Sequence, residues 1–125
     1  MNMLFSVAAG GALGAVARYL FAAQVSRLFG TGFPWGIFAT NVLGSFIMGV
    51  LVEGFALRWN LSAEVRAFLT VGILGGFTTF SSFSLDAALM LQRHDYGMAA
   101  AYMIGSVVLS VAALFAGLAL VRTLA

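Results

Sequence analysis

The residues best suited to chemistry lie in one short run, Gly72-Ile73-Leu74-Gly75-Gly76-Phe77-Thr78-Thr79-Phe80-Ser81-Ser82-Phe83-Ser84. It interrupts an otherwise apolar segment with glycines, hydroxyls and phenylalanines, where a plain membrane helix would carry Leu, Ile and Val. Gly in a helix interior costs about 0.5–1 kcal/mol relative to Ala, so Gly75-Gly76 loosens a helix here. Backbone groups freed inside a bilayer are tolerated only where protein or a wet cavity surrounds them. The run therefore reads as a broken membrane helix that handles an ion. Phe80 and Phe83 stand three apart and share a helix face, with Ser81 and Ser82 between them. An aromatic ring has a positive edge and can face an anion without supplying a fixed charge. Such a pair also serves ordinary core packing in a chain with 12 phenylalanines; the adjacent break and the interleaved hydroxyls set this one apart. Asn41, from another segment, adds an amide donor. Donors without a full positive charge suit passage better than trapping, because a conducting site must also release its ion.

A second polar file is Tyr102, Ser106 and Ser110, at four-residue steps. Each step turns about 40° past a full turn, so the three stay on one face as a slanting line. Hydroxyls in hydrocarbon need partners. Either each bonds back to a carbonyl one turn earlier, or the file lines a polar path. Arg18 lies well inside the first apolar segment. It either draws an anion into a vestibule or snorkels from an interface. Glu53 and Asp86 lie nearer segment ends and read as interfacial or paired with arginine. His94, beside Asp95, falls in a loop. No Cys is present, so disulfides, thiolate metal sites and Cys nucleophiles are excluded. No buried His or Lys stands ready to activate a serine. No Walker loop, HExxH or paired-carboxylate site appears, so an enzyme is not expected.

These residues must be positioned by membrane helices. The chain of 125 residues is 62% hydrophobic and 8% charged, against about 25% charged in soluble domains, and its mean hydropathy is +1.07. Its positive charge comes from arginines too scattered to form a nucleic-acid patch. A bilayer span needs about 20 mostly apolar residues. Four segments qualify: Leu4–Ser26, Pro34–Leu57, Val65–Leu91 and Gly97–Val121. They form a single transmembrane domain, 1–125. The first lacks the charged start and cleavage site of a signal peptide and reads as a retained helix. Pro34 is placed to start the second helix. Ser62 is a fair N-cap for the third, with Glu64 in its first turn. Trp35, Trp59 and Tyr96 lie at segment ends, as interfacial aromatics do.

Four spans put both termini on one side. That side carries Arg58, Arg66 and Arg122, and the other carries Arg27 and Arg93. Three against two leaves almost no positive-inside bias. The chain can therefore insert both ways, making an inverted pair of the kind transporters otherwise build from internal repeats, or one direction can win weakly. Gly10 and Gly14 form GxxxG in the first helix. Asn41, Ser45 and Gly49 form a small, polar stripe in the second, with Gly44 alongside, and Gly105 and Gly117 mark the fourth. Close helix packing explains all of these. A bundle this thin cannot enclose a wide pore, so the stripes also argue for an oligomer, most simply a dimer.

Three motifs carry a family resemblance: Gly10-Gly11-x-x-Gly14-Ala15-x-x-Arg18-Tyr19; Asn41-x-x-Gly44-Ser45-Phe46-x-x-Gly49; and Gly75-Gly76-Phe77-Thr78-Thr79-Phe80-Ser81-Ser82-Phe83-Ser84. Through nearly its whole length the chain resembles the Fluc/CrcB fluoride channels. Ser82 stands where that family often has Thr, which keeps the hydroxyl. The resemblance implies an all-α integral membrane protein with the third of four helices broken at Gly75–Thr79, assembled as an antiparallel, dual-topology homodimer with two fluoride pores. It implies passive fluoride export from the cytoplasm across the bacterial inner membrane. Backbone carbonyls of Gly75 and Thr78 from both copies would hold a central structural Na⁺. Phe80 and Phe83 would offer ring edges to the pores, and Asn41 would contact the ion or its water. Ser81 and Ser82 would lie on the path, and Tyr102, Ser106 and Ser110 would form a polar track. Arg18 would serve vestibule electrostatics or structure. A small multidrug-resistance-type proton-coupled exporter shares the span count and size. It needs a carboxylate deep in the membrane, and Glu53 lies towards a helix end.

Overall fold

A computed structural model describes residues 2–124. The chain is all helical, with four spans long and apolar enough to cross a membrane: Asn2–Phe29, Trp35–Leu57, Ala63–Gln92 and Tyr96–Leu124. The first, third and fourth extend one to three residues past the expected apolar segment at both ends, because polar and aromatic flanks continue the helix into the interface, whereas the second starts one residue after Pro34 and ends at Leu57 as expected. We label the elements α1 (Asn2–Phe29), α2 (Trp35–Leu57), α3 (Ala63–Ala67), a π-helical turn π1 (Phe68–Leu74), α4 (Gly75–Phe77), α5 (Phe80–Gln92) and α6 (Tyr96–Leu124). The third span is thus α3, π1, α4 and α5 in series. Pro34 caps α2 from outside: it occupies the N-cap position, and its carbonyl accepts from the Phe38 N–H at 3.1 Å. Ser62 caps α3 through its hydroxyl, which accepts from Val65 N–H at 3.2 Å.

Two glycine seams hold the spans together. In one, α1 lies on π1 and α4. A β-carbon at Gly10 would sit 2.5 Å from the Phe68 carbonyl oxygen and 2.8 Å from the Gly72 α-carbon. One at Gly14 would strike the Ile73 carbonyl, and one at Gly76 would sit 2.5 Å from the Gly11 carbonyl oxygen. In the other seam α2 lies on α6, where a β-carbon at Gly49 would strike the Leu114 carbonyl and one at Gly117 the Phe46 carbonyl. Backbones this close gain dispersion contact that no larger residue permits. The small-residue stripes are therefore used within one chain, which removes them as an argument for a dimer.

Apart from Arg18, most charges sit near the ends. Glu53 pairs with Arg122, and the Arg58 guanidinium donates to the Leu124 carbonyl at 2.8 Å, tying the loop after α2 to the end of α6. Trp59 folds back so that its ring covers Gly54. In the α5–α6 turn Arg93 meets Asp95 at 3.4 Å, and His94 Nδ1 lies 2.8 Å from the Tyr96 hydroxyl.

The GGxxG motif supplies an internal control. Gly10→Ala and Gly14→Ala should each destabilise the protein by about 1–3 kcal/mol through overpacking. Gly11→Ala, whose β-carbon would meet nothing within 4 Å, should be neutral or slightly stabilising. Thermal unfolding in detergent compares the three, and equal losses at Gly10 and Gly11 would refute the seam.

Candidate functional site

The interruption of the third span falls at Thr78 and Thr79, inside the expected interval Gly75–Thr79. Threonines carry it. Thr78 (φ −84°, ψ 155°) and Thr79 (φ −151°, ψ 125°) are extended, whereas Gly75 (φ −62°, ψ −38°) is helical. The expectation that Gly75-Gly76 opens the helix is thus corrected. Gly76 admits the α1 backbone, and β-branched residues take the extended conformation they favour.

A break inside a bilayer must satisfy its own polar groups, and here Asn41 of α2 does so. Its Oδ1 accepts from Thr79 N–H at 2.9 Å and its Nδ2 donates to the Thr79 carbonyl at 3.0 Å. One amide side chain thereby grips both backbone groups of one residue. The Thr79 hydroxyl accepts from Ser82 N–H at 3.1 Å, so Thr79 is the N-cap of α5. The Thr78 hydroxyl donates to the Leu74 carbonyl at 2.8 Å. Gly44 leaves room for the break, since a β-carbon there would strike the Thr78 methyl. In a continuous helix Thr79 N–H would donate to the Gly75 carbonyl and Ser82 N–H to the Thr78 carbonyl. Both donors are diverted, to Asn41 and to the Thr79 hydroxyl, so these two carbonyls lose their helical partners.

Beside the break lies a cavity of about 380 Å³, lined by Asn41, Ser45, Thr79, Phe80, Phe83, Ser106, Ser110 and apolar neighbours. No charged residue lines it. Phe80 and Phe83 have ring centroids 5.6 Å apart. Phe83 is buried, whereas Phe80 is 77% exposed and projects from the chain. Ser106 distinguishes the two readings of the α6 file. Thr40, Thr70 and Ser84 bond back to carbonyls one turn earlier, but the Ser106 hydroxyl is buried without a partner among the described residues. A buried hydroxyl left unpaired costs roughly 1–3 kcal/mol, and this one belongs to the cavity wall.

The expected site residues do not all gather there. Tyr102 is fully buried behind the cavity, its ring 5.0 Å from that of Phe83, and its hydroxyl donates to Asp86 at 3.1 Å. Asp86 therefore has a tyrosine partner, where an interfacial place or pairing with arginine is expected from sequence; Glu53 does have its arginine. Ser82 turns to a second cavity of about 560 Å³, with Arg18, Ser26, Asp86 and Arg93 in its wall. Arg18 is half-buried against this cavity. Ser81 is exposed, with its hydroxyl 3.3 Å from that of Thr79, and lines neither cavity. Thr78 lines the smaller cavity, whereas Gly75 lines neither. Sequence reasoning missed Thr79 as a cap, although a threonine just ahead of Phe80-Ser81-Ser82 is an N-cap signal. It missed the Asp86–Tyr102 bond because the two residues meet only across the α5–α6 turn.

Fold and site define an integral membrane protein whose polar groups gather around a discontinuous span. The family model described as CrcB-like protein, Camphor Resistance (CrcB), matches residues 5–118, and the chain belongs to this family. It is 58% identical over 123 residues to a protein of Rhodospirillum centenum named fluoride-specific ion channel FluC, covering 98% of each chain. Proteins of the same name from Phenylobacterium zucineum (57% identical, 98% of this chain and 97% of the other) and Agrobacterium fabrum (56% identical, 94% of each) are similarly close.

Removing the Asn41 side chain should loosen the break. In Asn41→Ala, Thr79 N–H and C=O lose their partners, at a cost of roughly 1–3 kcal/mol per unsatisfied group. Amide exchange at Thr79 and Ser82 should accelerate by about tenfold or more, while exchange along α6 should not change. Unaltered exchange at Thr79 would show that the amide grip does not hold the break.

Proposed function

We propose that this protein is a fluoride-selective channel that lets fluoride leave the cytoplasm passively across the bacterial inner membrane. The observation that carries the proposal is the smaller cavity: an uncharged chamber at membrane depth, walled by two phenylalanine rings, an asparagine amide and an unpartnered buried hydroxyl. Such donors hold a small anion weakly enough to release it. The names of the relatives select fluoride among anions.

In this reading Phe80 and Phe83 turn ring edges towards the ion, and Asn41 offers it the N–H that the Thr79 carbonyl leaves free. Ser106 and Ser110 continue the path along α6. Tyr102 orients Phe83 and holds Asp86, Ser82 lines the approach through the larger cavity, and Ser81 meets the Thr79 hydroxyl at the break. Arg18 raises the local anion concentration in the larger cavity. A second copy in the opposite orientation completes the pore: Phe80 projects outward beside the cavity, and the nearly balanced arginines permit both insertions. Two copies give two pores. A structural Na⁺ fits between them, because hard cations take oxygen ligands and the break diverts the helical donors of the Gly75 and Thr78 carbonyls. The exporter reading has less support, since Glu53 is engaged by Arg122 near a helix end.

Purified protein in liposomes should release fluoride rapidly and chloride slowly. Phe80→Ile should cut fluoride flux by about tenfold or more, the equivalent of one ring contact of about 1.4 kcal/mol, with the dimer intact by light scattering. Proton-driven uptake of a cationic dye without fluoride release would replace the channel by the exporter. Tags at the termini should be accessible from both sides of the membrane; accessibility from one side alone would defeat the antiparallel pair.

A further inference from the structure

A third cavity, of about 510 Å³, opens on the flank of the chain between α2 and the first half of the third span. Its walls are Met48, Val52 and Phe55 on one side and Arg66, Thr70 and Val71 on the other. Met48, Val52 and Phe55 lie at i, i+4 and i+7, and Arg66 and Thr70 at i and i+4, so both walls run along their helices. The groove is therefore elongated along the membrane normal. Its outer end is fixed by the loop joining α2 to α3: Phe55 lies two residues before the end of α2, and Arg66 three residues after the start of α3. Met48 and Val71 lie about 8–11 Å deeper than Phe55 and Arg66 at 1.5 Å per residue. A cation thus stands at the interface end of a groove whose deeper walls are aliphatic.

Arg122 pairs with Glu53, Arg93 with Asp95, and Arg58 with the Leu124 carbonyl. The Arg66 guanidinium has no partner among the described residues. The groove holds no acid, and Glu64, two residues away, points off a different side of the helix. The Thr70 hydroxyl donates to the Arg66 carbonyl at 2.8 Å, so it is spent on its own helix and leaves the groove wall apolar. We infer that this groove is a binding site for an anionic phospholipid, with its phosphate on Arg66 and an acyl chain along Met48, Val52, Phe55 and Val71. Charge complementarity at the mouth and hydrocarbon complementarity below it select this occupant. Arginine suits the head group, because its planar fork binds phosphate oxygens in pairs.

Native mass spectrometry of the detergent-purified protein with added phosphatidylglycerol or phosphatidylcholine tests the inference. Wild type should retain phosphatidylglycerol with a preference of about fivefold over phosphatidylcholine, as expected for one arginine at an anionic head group. Arg66→Ala should abolish the preference, Arg66→Lys should keep most of it, and Val52→Trp, which fills the groove, should reduce binding of both lipids. Equal retention of the two lipids by wild type would overturn the site, as would a fivefold preference surviving in Arg66→Ala. The chain has no cysteine, so Val71→Cys places a single thiol in the groove. It should form no disulfide-linked pair on oxidation in vesicles, and such a pair would show that a second copy fills the groove instead.

Discussion

The structure depends on one requirement: two extended residues in the middle of a membrane span must satisfy their backbone without water. Each unpaired amide group in hydrocarbon would cost several kcal/mol. Asn41 meets the demand for Thr79, accepting its N–H and donating to its carbonyl, and the threonine hydroxyls meet that of the neighbouring turns. The break is thus held from outside by α2 and from inside by its own side chains. Asn41 remains part of the cavity wall while doing so, so the group that secures the backbone also shapes the chamber. A change at this position acts on both.

Placement of the break depends in turn on the glycine seams. The π-helical turn before it is pressed against α1, where Gly10 and Gly14 bring carbonyls of Phe68 and Ile73 within reach of α1 backbone atoms. The wide π turn resets the rotation of the third span just before the break, as π-bulges at functional sites do. On the other side, Gly49 and Gly117 draw α6 onto α2, which sets Ser106 and Ser110 opposite Asn41. Large side chains at these positions would move the hydroxyl file away from the rings, so the glycines act on the site through distance alone.

Much of this was legible in the sequence. Span number followed from apolar length, and the interruption of the third span from the polar run between Gly75 and Ser84. Composition could not say which residues of that run leave the helix. Gly75 and Gly76 are the weakest helix formers there, yet the helix continues through them, and Gly76 serves close approach to α1 instead. Tyr102 illustrates the other limit. Helical spacing puts it in line with Ser106 and Ser110, but whether a side chain faces a cavity or a neighbouring helix is decided by tertiary packing. Phe83 stands between Tyr102 and the cavity, and Asp86 takes its hydroxyl. The dispositions of Ser81 and Ser82 have the same origin: neighbours in sequence on a helix point about 100° apart.

The distribution of charge follows from the same physics. Most arginines and acids occupy the outer turns, where Glu53–Arg122 and Arg93–Asp95 meet, and among the described residues no charged one lines the chamber beside the break. A fixed arginine in that chamber would bind an anion tightly at low dielectric and hold it; a carboxylate would exclude it. Ring edges, amides and hydroxyls lie between these extremes, and each is a partial charge whose position is set by packing. Arg18 and Arg93 stand in the wall of the larger cavity instead. Full charges and partial charges are thus kept in separate cavities.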